Sequence, residues 1–123
     1  VPAEHVTAVA ESLQVTDFLD KKVRKYSLGM RQRLLVAMTF LVDAPIILLD
    51  EPLNGLDPVS LKTVRQAIIA AGQAGKTVIV SSHNLDEVDR ITKVIVAIQK
   101  QQLQLTRLTD AESAEQLYTT LFE

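Results

Sequence analysis

After Tyr26-Ser27-Leu28-Gly29, apolar residues recur at Leu34, Ala37, Met38 and Leu41. That spacing predicts a strong helix with one inward face, which Asp43-Ala44-Pro45 terminates. Ile46 to Leu49 is an unbroken apolar run of strand length, the pattern of a strand buried on both faces. It stops at two carboxylates, Asp50 and Glu51. A second helix opens with Asp57 as N-cap and Pro58 in its first turn; Leu61, Val64 and Ile68 mark its inner side and Gly75 ends it. Thr77 to Ser81 is a β-branched strand, and Asn84 with Glu87 three residues on opens a short helix whose Leu85, Val88 and Ile91 face inward. Before all this, Ala3 to Asp20 reads as a helical segment of mixed polarity, followed by a charged surface run to Lys25. At the other end come a strand over Lys93 to Ile98, a turn at Gln99-Lys100-Gln101 that lacks glycine, a short strand over Gln102 to Thr106 and a helix over Asp110 to Phe122. Helices and strands alternate, so the fold class is α/β with a mostly parallel sheet flanked by helices.

Composition narrows the options. With 123 residues, 47% of them hydrophobic, the chain can build one modest core. No cysteine is present, which excludes a disulfide framework and a thiolate metal site. Thirteen basic against fifteen acidic residues give a formal net charge of -2, so no nucleic-acid footprint stands out and no nucleic-acid partner is expected. The longest largely apolar run, Leu34 to Val42, is about half of what a membrane-spanning helix requires. The chain begins with Val1 and shows no signal-peptide pattern, as expected for a piece of something longer.

Two places could carry chemistry. Gly75-Lys76-Thr77 matches the closing triplet of a P-loop, but a P-loop runs strand, G-x-x-x-x-G-K-[ST], helix, and here a helix leads in and a strand leads out. Ala70 also stands where the first glycine belongs, so the helix-cap reading is preferred. The second place is the carboxyl edge of the sheet, where open parallel sheets bind ligands. Asp50 and Glu51 end one strand there and His83 follows the end of another. A strand-end carboxylate can hold Mg²⁺, usually through water, and a neighbouring one can orient or deprotonate an attacking water. The plain alternatives are a solvated acidic turn before Pro52 and a capping or packing role for His83; His5 keeps such a plain reading.

Taken together, these stretches resemble the ATP-binding domains of ABC transporters. Tyr26 to Arg33 looks like their signature motif, with Ser27 and Gly29 at its key positions; Pro45 to Pro52 looks like the Walker B strand with the catalytic glutamate. Leu53-Asn54-Gly55-Leu56-Asp57-Pro58 is similar to the D-loop and Ser81-Ser82-His83 to the switch-histidine loop. The signature departs from the common form at Leu28, usually glycine, and Met30, usually glutamine; the S-x-G-M form resembles exporters of the antibiotic-resistance type.

The resemblance implies a partial P-loop NTPase fold, with residues 1–44 as part of the helical signature subdomain and 45–123 as the later part of the RecA-like core. It implies ATP and Mg²⁺ as ligands, with Asp50 on the metal, Glu51 polarising the water and His83 on the γ-phosphate. Ser27 and Gly29 would contact the ATP of a second ATPase domain, and Asp57 would connect the two sites. The implied setting is the cytoplasmic face of the cell membrane, beside transmembrane permease subunits. Because the Walker A and glutamine loops precede the signature in this family, the chain is expected to be inactive alone, and to self-associate through strand edges left unpaired. Two other readings stay open: a soluble ABC-type ATPase of the translation, repair or chromosome class, and a non-catalytic assembly module.

Overall fold

A computed structural model describes residues 1–122, which form two compact units, Val1–Ser82 and the residues from His83 onward. The boundary anticipated between residues 44 and 45 falls inside the first unit.

In the first unit the order is α1 (Ala3–Ser12), α2 (Leu28–Leu41), β1 (Ile46–Asp50), α3 (Pro58–Gln73) and β2 (Thr77–Ser81), with short 3-10 turns at Val15–Asp17 and Val23–Lys25. Helix α1 stops earlier than its composition suggested because Gln14 turns left-handed, with φ 55°. Ser27 caps α2: its Oγ accepts from the Met30 amide at 3.1 Å. Asp57 caps α3, accepting from the Ser60 amide at 3.1 Å, with Pro58 in the first helical position. At the far end of α3 the Lys76 amide donates to the Ala71 carbonyl and the Gly75 amide to the Gly72 carbonyl, while Gly75 takes φ 95°. This pair of bonds around a left-handed glycine closes the helix. Lys76 then leads into β2, and its Nζ pairs with the Asp43 carboxylate at the α2–β1 turn. Gly75-Lys76-Thr77 is thus a helix-to-strand junction, the reverse of the order that cradles phosphate.

Strands β1 and β2 are parallel, in a register that sets Ile46 against Thr77 and Asp50 against Ser81. Ile47 and Leu49 point into the core with Val36, Ala37, Val64 and Ile68, all buried. Ile46 and Leu48, read from the sequence as buried on both faces, are instead 60% and 69% exposed. An apolar run shows that each residue suits a core; it does not show whether a second layer covers the outer face. Met38, expected on the inner side of α2, is exposed, and Val36 takes that place. Leu13, Val15, Phe18 and Tyr26 close the core at the α1 end.

The second unit contains α4 (Leu85–Ile91), β3 (Val94–Gln99), β4 (Gln102–Arg107) and α5 (Ala114–Phe122). Asn84 Oδ1 accepts from the buried Glu87 amide and so opens α4. β3 and β4 are antiparallel, so parallel pairing is confined to β1–β2 among the described residues. Lys100 and Gln101 make the hairpin turn with φ 50° and 63°, a two-residue turn built without glycine. Helix α5 starts at Ala114 rather than Asp110, because the Ser113 amide donates to Gln116 Oε1 while Ser113 Oγ accepts from the Gln116 amide. Asp89 of α4 accepts from the Ala114 amide at 2.9 Å and ties α5 to α4.

Candidate nucleotide site

Equal strand lengths and an in-step register deliver Asp50 and Ser81 side by side at the carboxyl edge of β1–β2. Ser81 Oγ donates to Asp50 Oδ1 at 2.6 Å and accepts from the Glu51 amide at 2.9 Å. The same amide also donates to the Ser81 carbonyl at 3.2 Å. Glu51 itself sits at φ 48°, a left-handed conformation that a non-glycine residue adopts only where its surroundings impose it. Here the two bonds from its amide to Ser81 do so. The chain therefore turns sharply after Asp50.

The second cluster joins the turn before α2 to the turn before α3. Gly29 is buried against the α3 N-terminus: a Cβ built on it would lie under 3.0 Å from Ser60 Oγ, Ser60 Cβ and Asp57 Oδ1. Leu28 packs beside Gly55, whose φ of 71° suits glycine. Hydrogen bonds from the Ser60 side chain and amide hold the Asp57 carboxyl below its ordinary 3.8, with a smaller contribution from the Arg33 charge. A depressed carboxylate contributes stability above the unfolded value and loses it as pH falls through the folded one, so this cap fails only in strong acid. Ser27 caps α2 beside this cluster, so the positive end of the helix dipole lies next to Gly29 and Asp57.

His83 opens the second unit, just before Asn84, the α4 N-cap. The structure thus brings Asp50 and Glu51 together with Ser81, and Gly29 together with Asp57. Among the described residues no group of three or more His, Asp or Glu forms a metal cage. The exposed Asp50 carboxylate, with Oδ1 held by Ser81, still suits Mg²⁺, which binds through one or two carboxylates and keeps waters and substrate phosphates as its other ligands. No helix among the described residues is long and apolar enough to cross a membrane.

A family model described as "AAA domain, putative AbiEii toxin, Type IV TA system" matches residues 14–89, more than half of the chain. The chain belongs to this AAA domain family. Its relatives are ABC transporter ATP-binding proteins. It is 41% identical over 104 residues to the uncharacterized ABC transporter ATP-binding protein YhcH of Bacillus subtilis (strain 168), a match covering 84% of this chain and 34% of that protein. It is 37% identical over 109 residues to the lantibiotic transport ATP-binding protein SrtF of Streptococcus pyogenes, covering 85% of this chain and 48% of that one. The chain therefore spans a third to a half of the length of these curated relatives. Among solved structures, an ATP binding subunit of an ABC transporter superposes with TM-score 0.83 at 20% identity, over 100% of this chain and 57% of that chain. That likeness shows the fold, which is that of the P-loop NTPase domains of ABC ATPases.

Within this AAA-family fold, the residue that sequence reasoning passed over is Ser81. In the sequence it stands only as the first residue of the switch-histidine-like stretch Ser81-Ser82-His83. The signal was available in the matched lengths of the two strands, which place Ser81 opposite Asp50. Ser81→Ala removes one hydrogen bond from each neighbour and is expected to cost about 1 kcal/mol of stability in urea denaturation. An unchanged midpoint would show that the serine bridge contributes nothing.

Proposed function

We propose that residues 1–123 are the later part of the ATP-binding subunit of an ABC transporter, and that the intact domain hydrolyses ATP as a head-to-tail dimer to drive export. The observation that carries the reading is the strand-end network, in which Ser81 fixes Asp50 and the backbone of Glu51 in one geometry. The similarity to YhcH, an ABC transporter ATP-binding protein, and to SrtF, a lantibiotic transport ATP-binding protein, supports the transporter setting, and SrtF supports a transported cargo.

On this reading residues 1–44 belong to the helical signature subdomain and 45–123 to the RecA-like core. By the same reading the loop that cradles the phosphates lies outside these residues, since among the described residues Gly75-Lys76-Thr77 runs from a helix into a strand. The chain alone is then inactive. Asp50 would hold Mg²⁺ through water, and the ion would supply charge neutralisation at the phosphates. Glu51 would take a proton from the attacking water, and His83 would contact the γ-phosphate. Ser27 and Gly29 offer the amides of α2 to ATP held by the second ATPase domain, and Asp57 connects the two sites. Transmembrane permease subunits are the partners, on the cytoplasmic face of the cell membrane.

Asp50→Asn tests the metal role. The amide keeps an acceptor for Ser81 but loses the charge, so the Mg²⁺ concentration for half-maximal ATP turnover by the native full-length protein is expected to rise about tenfold to a hundredfold. An unchanged Mg²⁺ requirement would remove Asp50 from the metal.

A further inference from the structure

Arg33 lies four residues beyond Gly29 on α2, and the same helix face therefore carries both. Its guanidinium sits 4.9 Å from the centre of the Phe18 ring, a cation–π distance, and Nη1 donates to the Gln14 carbonyl at 3.4 Å. Nε is buried with no hydrogen-bond partner. A desolvated, unpaired donor costs free energy, so the contacts on the rest of the group must offset it. Those contacts lead to the signature turn.

On one side, Phe18 is buried and meets Tyr26 edge-on, with ring centroids 4.8 Å apart and an interplanar angle of 78°. The Tyr26 hydroxyl donates to the Phe18 carbonyl at 3.0 Å, and Tyr26 directly precedes Ser27. On the other side, Gly29, one helical turn before Arg33 on α2, abuts Asp57 and Ser60 at the start of α3. The signature turn is thereby held between a ring stack, on which Arg33 is anchored, and the α3 N-terminus.

We propose that Arg33 is a positioning residue for ATP hydrolysis: anchored on Phe18 and Gln14, its guanidinium fixes the start of α2 on the Phe18–Tyr26 stack, so that Ser27 and Gly29 keep one geometry against the start of α3. The inference rests on the ATPase reading above. Arg33 touches no nucleotide in this scheme; it acts through the residues it braces. Because ATP is gripped chiefly by the phosphate loop of the other domain, loss of the brace affects the transition state more than binding.

The test measures kcat and KM for ATP of the native full-length protein carrying Arg33→Met or Arg33→Lys, with thermal melting of each. Methionine keeps the apolar stem and removes the charge. Lysine keeps a cation for Phe18. Arg33→Met is expected to lower kcat about tenfold with KM unchanged, a modest misplacement effect, while Arg33→Lys retains most of the rate and both melt alike. Wild-type kcat in Arg33→Met, or losses in both variants that track their melting temperatures, would overturn the proposal and leave a packing residue. Glu51→Gln is run beside them. If it stops turnover while Arg33→Met does not, the positioning role alone fails; if it leaves turnover intact, the ATPase reading fails and the proposal with it.

Discussion

Glu51→Gln is expected to reduce ATP hydrolysis by the native full-length protein about a hundredfold to ten-thousandfold, the usual share of a general base. ATP binding should persist. Glutamine has the size of glutamate and keeps a carbonyl oxygen that can accept from water, but it cannot take a proton at neutral pH. The backbone bonds that fix residue 51, from its amide to Ser81 Oγ and to the Ser81 carbonyl, do not involve the substituted group. The fold and the turn should therefore survive, and the loss reports the chemistry. Binding is read by equilibrium nucleotide titration and turnover by phosphate release. Unchanged turnover would remove Glu51 from the reaction and leave the acidic pair as a solvated turn.

Gly29→Ala is expected to lower turnover about a hundredfold, the scale of an ångström-sized misplacement of a positioned group. Two effects of opposite sign compete in the fold. Alanine in a helix is favoured over glycine by about 1 kcal/mol. Against that, the new methyl meets Ser60 Oγ, Ser60 Cβ and Asp57 Oδ1 under 3.0 Å, and overpacking of this kind costs about 1–3 kcal/mol. Ser60 is 1% exposed and cannot swing into solvent, so the overpacking effect wins. The start of α2 must then move away from α3, carrying Ser27 with it. Urea denaturation should show net destabilisation and phosphate release the loss of rate. A stabilised protein with full turnover would mean that the two helix starts separate freely and that their contact has no role in function.

How much of this was written in the sequence depends on the residue. Caps were legible because they are local: Ser27, Asp57 and Asn84 each accept from an amide three residues on, so type and spacing suffice. The Gly75 junction was legible for the same reason. Layering was not, since Ile46 and Leu48 have the composition of core residues yet lie on an outer face. The contact between Gly29 and Asp57 was also hidden, because it joins positions 28 residues apart and depends on the angle at which α2 meets α3. Ser81 was hidden by its chemistry: a serine becomes informative only when the register places it opposite Asp50. The antiparallel β3–β4 hairpin turns on Lys100 and Gln101, which carry none of the usual glycine or asparagine signal.

The central claim is that this chain supplies the carboxylates and the signature turn of an ATPase while the phosphate cradle lies elsewhere. Calorimetric titration of the 123-residue chain with Mg·ATP tests it most directly, with Lys76→Ala as the comparison. The account predicts no measurable binding to either. Tight binding that disappears in Lys76→Ala would contradict it, because Gly75-Lys76-Thr77 would then hold phosphate rather than close a helix.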